Sequence, residues 1–262
     1  MWYSRMTSQA MHRDENGAPD IEPALDSASV SAVLFDLLYG HQRGVVPTAV
    51  DHAYEEIWKL LVTNTLTEGQ RLSDVALSLR LGVSRTPVRQ ALVRLTQDGL
   101  VHADPRRGFW VHTFTYRDVH DIYDLRGALE ALALRLAAPH LDTADLQAQL
   151  DILSSVRAKL DERPIALFLQ ADMGLHNLLI HASNNQRLIQ FLVTLRSQHA
   201  LFQVRDTSYP SRMHTALDDH ERILHALIDD RVDDAACLLT DHIAHSKAGV
   251  LADLFPADHI PT

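Results

Sequence analysis

The apolar positions between residues 50 and 100 recur with the spacing of three successive helices. In "DHAYEEIWKLLV" they fall at i, i+3, i+4 and i+7, which predicts an amphipathic helix. A second helix, "DVALSLRL", follows Ser73, a residue suited to cap it, and ends at Gly82. A third begins after Ser84 and carries Pro87 in its first turn. Its buried stripe is Val88, Ala91, Leu92 and Leu95.

Two short runs after the third helix alternate in the manner of strands. They are "LVHA" and "FWVHTF", and the turn-rich segment "DPRRG" joins them into a hairpin. Three helices followed by a hairpin, in about 60 residues, is the order of a winged helix-turn-helix. The pattern therefore predicts such a domain over residues 48–115, with the hairpin as its wing.

From Thr115 onward the pattern is helical. A pair resembling a capping box, Thr115 and Asp118, opens a long first helix. Further helical runs are predicted at 142–161, 164–183, 185–204, 211–229 and 231–250. The fold class expected is mainly α: an N-terminal winged helix-turn-helix plus a C-terminal all-α antiparallel helical bundle over residues 116–250.

The two ends of the chain lack sustained periodicity. Residues 1–47 are expected to form a flexible tail, in which "SAVLFDLLYG" allows one short helix. Residues 251–262 are expected to form a second tail. The N-terminus carries no signal-peptide pattern, and no uncharged apolar stretch approaches eighteen residues. With a single cysteine, Cys237, these features favour a cytoplasmic protein without a membrane span or an internal disulfide.

Charge is distributed unevenly along this acidic chain, whose formal net charge is -10. Residues 82–110 hold five arginines against two aspartates, a local excess of positive charge. Arg85 and Arg89 lie on one face of the third helix, away from its apolar stripe. Alone they could be solvated surface residues. The helix order and the wing arginines Arg106 and Arg107 instead favour contact with DNA, since guanidinium groups bind phosphate and guanine.

The segment "EGQRLSDVALSLRLGVSRTPVRQALVRLTQDGLV" resembles the winged helix-turn-helix of the GntR family of bacterial transcription regulators, a likeness that covers residues 53–112. Where some relatives carry an arginine early in the second helix, this chain has Val75, which puts the base preference in question. The resemblance implies DNA contacts at six positions: Ser84, Arg85, Thr86, Arg89, Arg107 and Gly108.

Three predicted helices of the bundle place polar residues on their apolar faces. Asp172 and His176 lie side by side on one helix, and His220 and His242 interrupt the stripes of two others. A buried carboxylate among leucines is unfavourable unless it is paired or metal-bound. A lone buried histidine is more often a hydrogen-bonded core residue. Three imidazoles and a carboxylate nevertheless suit Zn²⁺, Ni²⁺ or another borderline cation, and both interpretations remain open at this point.

Residues 118–246 resemble the helical ligand-sensing (FCD) domain of the FadR-type branch of GntR regulators. Metal-binding members of that branch use an Asp-x-x-x-His pair and two further histidines. The resemblance therefore implies a divalent metal, expected to be zinc, at Asp172, His176, His220 and His242. His181, His214, His225 and His245 lie off the stripes and are expected to be structural or solvated.

Arg126 is expected to point inward from the long first helix, because it shares a stripe with Val119, Ile122, Leu129, Ala133 and Leu136. One explanation is an internal salt bridge to Glu130, four residues on. The other is that Arg126 binds the carboxylate of a small organic acid, the class of effector that the family resemblance implies.

Together these features predict a metabolite-responsive transcription regulator and not an enzyme. The expectation is a repressor that binds a palindromic operator as a homodimer, with a metal-assisted site for a small carboxylate effector. A metal-dependent hydrolase that uses the same aspartate and histidines is the alternative from another class. A regulator whose bundle binds no metal is a third.

Overall fold

The structure is a computed structural model that describes residues 27–39, 46–162, 164–206 and 210–256. Within these ranges the chain forms ten α-helices and three strands, and none of the helices is long and apolar enough to cross a membrane. The helices are α1 Ser27–Tyr39, α2 Ala49–Val62, α3 Asp74–Leu81, α4 Arg85–Gln97, α5 Tyr116–Ala137, α6 Thr143–Arg157, α7 Ile165–Ala182, α8 Gln186–Asp206, α9 Pro210–Ile228 and α10 Val232–Leu254. The strands are β1 Arg71–Leu72, β2 Val101–Asp104 and β3 Gly108–Val111.

The expected winged helix-turn-helix order is present. The side chain of Ser73 caps α3 by accepting from the backbone N–H of Ala76, and Gly82 ends this helix at φ 66°. Such a left-handed angle is readily adopted by glycine, so the chain can turn at once into α4. The apolar stripe of α4 is fully buried, as its spacing predicted.

The sheet contains one strand more than the predicted hairpin. β2 and β3 pair antiparallel, and β1 joins on the other edge of β3 with Arg71 opposite Trp110. A two-residue strand is too short to show a period of two along the sequence. It attaches the segment before α3 to the wing and so fixes the wing beside the helix-turn-helix.

The second half of the chain folds as the predicted all-helical bundle. The capping box of α5 forms in full, with Thr115 and Asp118 each bonding to the other's backbone N–H. The predicted helical runs all appear within a few residues of their expected limits. α10 continues to Leu254, so the part of the expected C-terminal tail up to that residue is helical.

The expectation of a flexible tail over residues 1–47 is wrong for the described segment 27–39. This segment forms α1, and Leu34, Phe35, Leu38 and Tyr39 are buried. The apolar core is continuous from α1 and α2 into the bundle. The other residues of the tail up to residue 45 lie outside the described ranges, as do residues 257–262 of the expected C-terminal tail.

Candidate nucleic-acid interface and metal centre

Helix α4 buries its apolar stripe and presents its opposite face to solvent. Ser84, Arg85, Thr86 and Arg89 are all exposed at its N-terminal end. Ser84 occupies the N-cap position but its side chain makes no capping hydrogen bond. The first-turn N–H groups of the helix and the Ser84 hydroxyl are thus accessible to an anion, the usual ligand of a helix N-terminus.

Arg85 is held by the preceding helix. Its Nη2 donates to Oδ2 of Asp74 at 2.9 Å, although 63% of the arginine side chain remains exposed. The hydrogen bond from Arg85 lowers the pKa of Asp74, so this carboxylate is ionised at neutral pH. Asp74 thereby orients one guanidinium of the exposed face.

The tip of the wing is a tight turn. Oδ1 of Asp104 accepts the backbone N–H groups of Arg106 at 2.7 Å and of Arg107 at 3.0 Å. Gly108 follows at φ 98°, a left-handed angle that disfavours other residues. The two arginines and Gly108 are exposed. The predicted wing residues therefore form a second positively charged surface beside α4.

The aspartate and three histidines singled out by the sequence come together in the bundle. Asp172 and His176 of α7, His220 of α9 and His242 of α10 are buried, and one ligand atom from each lies within 4.8 Å of the others. Nε2 of His220 lies 3.1 Å from Nε2 of His242 and 3.6 Å from Oδ1 of Asp172. We refer to these four residues as the Asp–His cluster.

Two further carboxylates orient the cluster's imidazoles. Oε2 of Glu130 lies 2.5 Å from Nδ1 of His176, which leaves Nε2 of that ring for the cluster. Oδ2 of Asp219 lies 3.6 Å from Nδ1 of His242 and 3.0 Å from Nδ1 of His245. Carboxylates in these positions fix the tautomer and orientation of metal-binding histidines. Sequence reasoning missed Asp219, although it directly precedes His220.

Burial favours the neutral form of two of the cluster's imidazoles, those of His176 and His220. Burial lowers the pKa of His176, against the opposing effect of Glu130, and lowers the pKa of His220 well below its ordinary value. Nδ1 of His220 is buried and has no hydrogen-bond partner among the described residues. A neutral imidazole has a free lone pair, the form in which histidine binds metals. Three imidazole rings and one carboxylate fit the preferences of a borderline divalent cation.

Arg126 forms the first of its two predicted interactions, and one nitrogen of its guanidinium remains available for the second. Its Nε donates to Oε1 of Glu130 at 2.9 Å, the internal salt bridge. Its Nη1 is buried without a hydrogen-bond partner in the described part of the chain. Nε2 of His199 is in the same condition.

Both groups line a cavity of about 310 Å³ that also reaches three members of the Asp–His cluster. Its other lining residues include Asp219, His245 and Ser246. His245, which the sequence placed off the stripes, therefore contributes to this cavity. The cavity has the size of a small-molecule site.

A winged helix-turn-helix with an exposed basic face, followed by a helical domain with a ligand-sized cavity, defines a class: DNA-binding transcription regulators. The model of bacterial regulatory proteins of the gntR family matches residues 49–111, and the FCD domain model matches residues 121–245. The chain belongs to the GntR family, in the branch that carries an FCD domain.

Individual relatives agree with this assignment. The HTH-type transcriptional regulator YdhC of Bacillus subtilis is 31% identical over 178 residues, which cover 65% of this chain and 76% of that protein. The Nta operon transcriptional regulator of Aminobacter aminovorans is 30% identical over 175 residues, 67% of this chain and 81% of that protein. The hydrolase alternative is therefore wrong at the level of class, because the matching domains and relatives are those of transcription regulators.

Two solved structures share the fold. Escherichia coli McbR/YncC superposes with a TM-score of 0.67 at 21% identity, covering 80% of this chain and 100% of that one. A transcriptional regulator of the GntR type from Rhodococcus sp. RHA1 superposes with a TM-score of 0.63 at 22% identity, covering 78% and 97%.

Proposed function

We propose that this regulator is a homodimeric repressor that binds a palindromic operator and responds to a small organic acid held beside a divalent metal. The observation that carries the proposal is the Asp–His cluster, buried against a cavity whose unpaired donors suit an anion. The DNA-reading residues proposed are Ser84, Arg85, Thr86, Arg89, Arg107 and Gly108, all of them exposed.

The metal proposed is Zn²⁺, held by Asp172, His176, His220 and His242. Three nitrogen ligands and one oxygen are a set that zinc accepts. The carboxylates of Glu130 and Asp219 would hold two of the imidazoles in orientation. Bound in this place, the ion would supply a Lewis-acidic centre for an oxygen of the effector.

The effector proposed is a carboxylate. Two buried guanidinium groups, Arg126 and Arg196, face the carboxylates of Glu130 and Asp172, and Arg196 stays charged because its pKa, lowered by burial, is still about 10. Asp219 adds a third carboxylate to this cavity, so a divalent ion added to the set still leaves one surplus positive charge in a buried site, which an anion offsets. Nη1 of Arg126 is the donor proposed to receive the acid's carboxylate.

The homodimer is supported by an apolar seam on α5. Leucines recur there at spacings of four, three and four residues, the spacing of a helix that packs along a second helix. Three of the four are exposed in this single chain, and Phe191 of α8 is exposed as well, at 67%. The seam consists of Leu125, Leu129, Leu132 and Leu136. Two recognition helices related by a dimer axis would read two half-sites about one turn of DNA apart, ~34–36 Å.

The test begins with selection of binding sites from random duplex DNA by the purified, zinc-loaded protein. We expect an inverted repeat to emerge, and we expect one member of a panel of small mono-, di- and hydroxycarboxylates to release the protein from it. Arg126→Gln should bind the same DNA but fail to respond to that acid. A selected site without two-fold symmetry, or release that does not depend on Arg126, would contradict the proposal.

A further inference from the structure

Helix α1 touches both halves of the molecule, and its residues 27–39 precede the matched family segment, which begins at residue 49. We propose that α1 is a strap that positions the recognition helix α4 on the sensor bundle, with Tyr39 and Tyr54 as positioning residues for DNA binding. We further infer that the strap transmits the state of the metal pocket to α4. The first part rests on the palindromic operator of the proposed function, and the second part rests on its metal.

The bundle holds the strap through Asn177. The Nδ2 of Asn177 donates to the backbone carbonyl of Leu37 at 2.7 Å, and Leu37 lies in the last turn of α1. Carbonyls in the last turn of a helix have no partner within the helix, so Asn177 supplies the missing donor. Oδ1 of Asn177 accepts in turn from Nη1 of Arg196 at 2.7 Å.

The same anchor adjoins the metal pocket. Asn177 directly follows His176 of the Asp–His cluster on α7. Arg196 is buried and close enough to Glu130 for the two charges to stabilise each other, and Glu130 also holds His176. A displacement of His176 or Glu130 would therefore act on Asn177, which holds the end of α1, and on Arg196, which holds Asn177.

A chain of hydroxyl groups connects the strap with the recognition helix. The Tyr39 hydroxyl donates to Oγ of Ser197 and lies 2.8 Å from the Tyr54 hydroxyl. The Tyr54 hydroxyl donates to Oδ2 of Asp98 at 2.6 Å. Asp98 is the C-cap residue of α4, so this chain ends on the recognition helix itself.

Two other hydrogen bonds connect the winged helix-turn-helix with α8 of the bundle. Nε1 of Trp58 donates to the same Ser197 oxygen at 2.8 Å, and Nε2 of Gln198 donates to the backbone carbonyl of Asp98 at 2.8 Å. The aromatic rings pack around them, with Phe35 of the strap 5.4 Å from Trp58 between ring centroids. Because these polar groups contact one another in a buried place, a change at one of them disturbs the next.

The positioning role is tested with the full-length Tyr39→Phe/Tyr54→Phe double variant, which keeps both rings and removes both hydroxyls. Tyr116→Phe, at an exposed tyrosine, is the matched control. The DNA probes are the selected palindrome and a duplex with one half-site. We expect the double variant to lose at least about ten-fold in affinity for the palindrome and to bind the half-site within about two-fold of the unaltered protein. Retained palindrome affinity overturns the role, and so does an equal loss on both probes, which would indicate local damage to α4.

Transmission is tested by hydrogen exchange of the backbone across residues 94–104, with and without Zn²⁺ as the sole ligand. In the unaltered protein and in Tyr116→Phe, zinc should change the exchange of this segment. In the double variant the change should disappear while zinc affinity stays the same. A zinc-dependent change that survives in the double variant overturns transmission. Absence of zinc binding to the unaltered protein would overturn the proposed metal and transmission together, whereas the DNA comparison, which needs no zinc response, decides the positioning role separately.

Discussion

The carboxylate of Glu130 bridges Arg126 and His176. One oxygen accepts from Nε of the arginine at 2.9 Å and the other lies 2.5 Å from Nδ1 of the histidine. A single buried side chain thus contacts both the proposed effector-binding arginine and a proposed metal ligand. This shared partner explains how an arginine that forms an internal salt bridge can still have one end free for a ligand.

Glu130→Gln should weaken zinc binding by about 10–100-fold, because Gln holds the imidazole of His176 without the negative charge. Competition with a chromophoric chelator measures the affinity. Glu56→Gln, at a half-exposed glutamate paired with Lys59 on α2, is the control and should bind zinc normally. Circular dichroism must show that both variants are folded. Unchanged affinity in a folded Glu130→Gln protein would be incompatible with an orienting role.

Asp172→Ala should reduce bound zinc from about one equivalent per chain to below about a tenth, since it removes the oxygen ligand of the cluster. Elemental analysis of purified protein gives the stoichiometry. The control is Asp218→Ala on α9, whose carboxylate pairs with Arg157 away from the cluster. Zinc should also raise the melting temperature of the control protein and not of Asp172→Ala. Equal zinc content in the two variants would refute the proposed site.

Arg89→Ala should weaken binding to the selected operator by about 1–3 kcal/mol, the usual contribution of a specific arginine contact. Fluorescence anisotropy with labelled duplex measures the loss. Arg135→Ala, in the helical domain and paired with Asp233, should leave the affinity as it was. If both variants bind equally well, α4 does not dock on DNA through Arg89.

Val75→Arg should strengthen DNA binding. Val75 is exposed on α3, next to Asp74 and beside the recognition helix, where the chain lacks an arginine that some relatives carry. A new phosphate contact would steepen the plot of log affinity against log salt by about 0.9. Titrations at several salt concentrations provide this slope, and Val75→Gln serves as the uncharged comparison. An unchanged slope for Val75→Arg would place α3 away from the DNA backbone.

Leu132→Glu should convert the dimer into a monomer, because it puts a charge into the centre of the leucine seam on α5. Sedimentation velocity measures the mass in solution. Leu79→Glu changes a leucine on α3 that is even more exposed than Leu132, and it should not alter the mass. A Leu132→Glu protein that sediments like the unaltered one would locate the dimer interface elsewhere.

Most of the winged domain and the bundle could be predicted from the sequence because their signals are local. Ser73 and Gly82 bound α3, and Thr115 with Asp118 begins α5, through bonds between residues close in sequence. The Asp–His cluster could be found because each member interrupts an apolar stripe, so helical periodicity alone directs all four inward.

The missed features depend on contacts between distant segments. The sequence allows a short helix at α1 but does not show that it is packed: α1 is covered by α2 on one side and by the bundle on another, and such a helix has no amphipathic pattern that marks a buried face. Asp219 acts on His242 and His245, more than twenty residues further along the chain. Arg126 could not be resolved into one role from its spacing, since its two ends have different surroundings in the folded protein.

The ion pair between Asp74 and Arg85 gives the DNA-reading face a built-in competitor for polyanions. A DNA duplex that binds this guanidinium must first displace the ionised carboxylate of Asp74. This cost is the same for every DNA sequence. A guanine offers this guanidinium two neutral acceptors and a phosphate offers it charged ones, so either partner must offset the loss of the Asp74 contact. If Arg85 contacts DNA as proposed, its acidic neighbour therefore reduces the net free energy gained at this position, on unrelated duplex and on the operator alike.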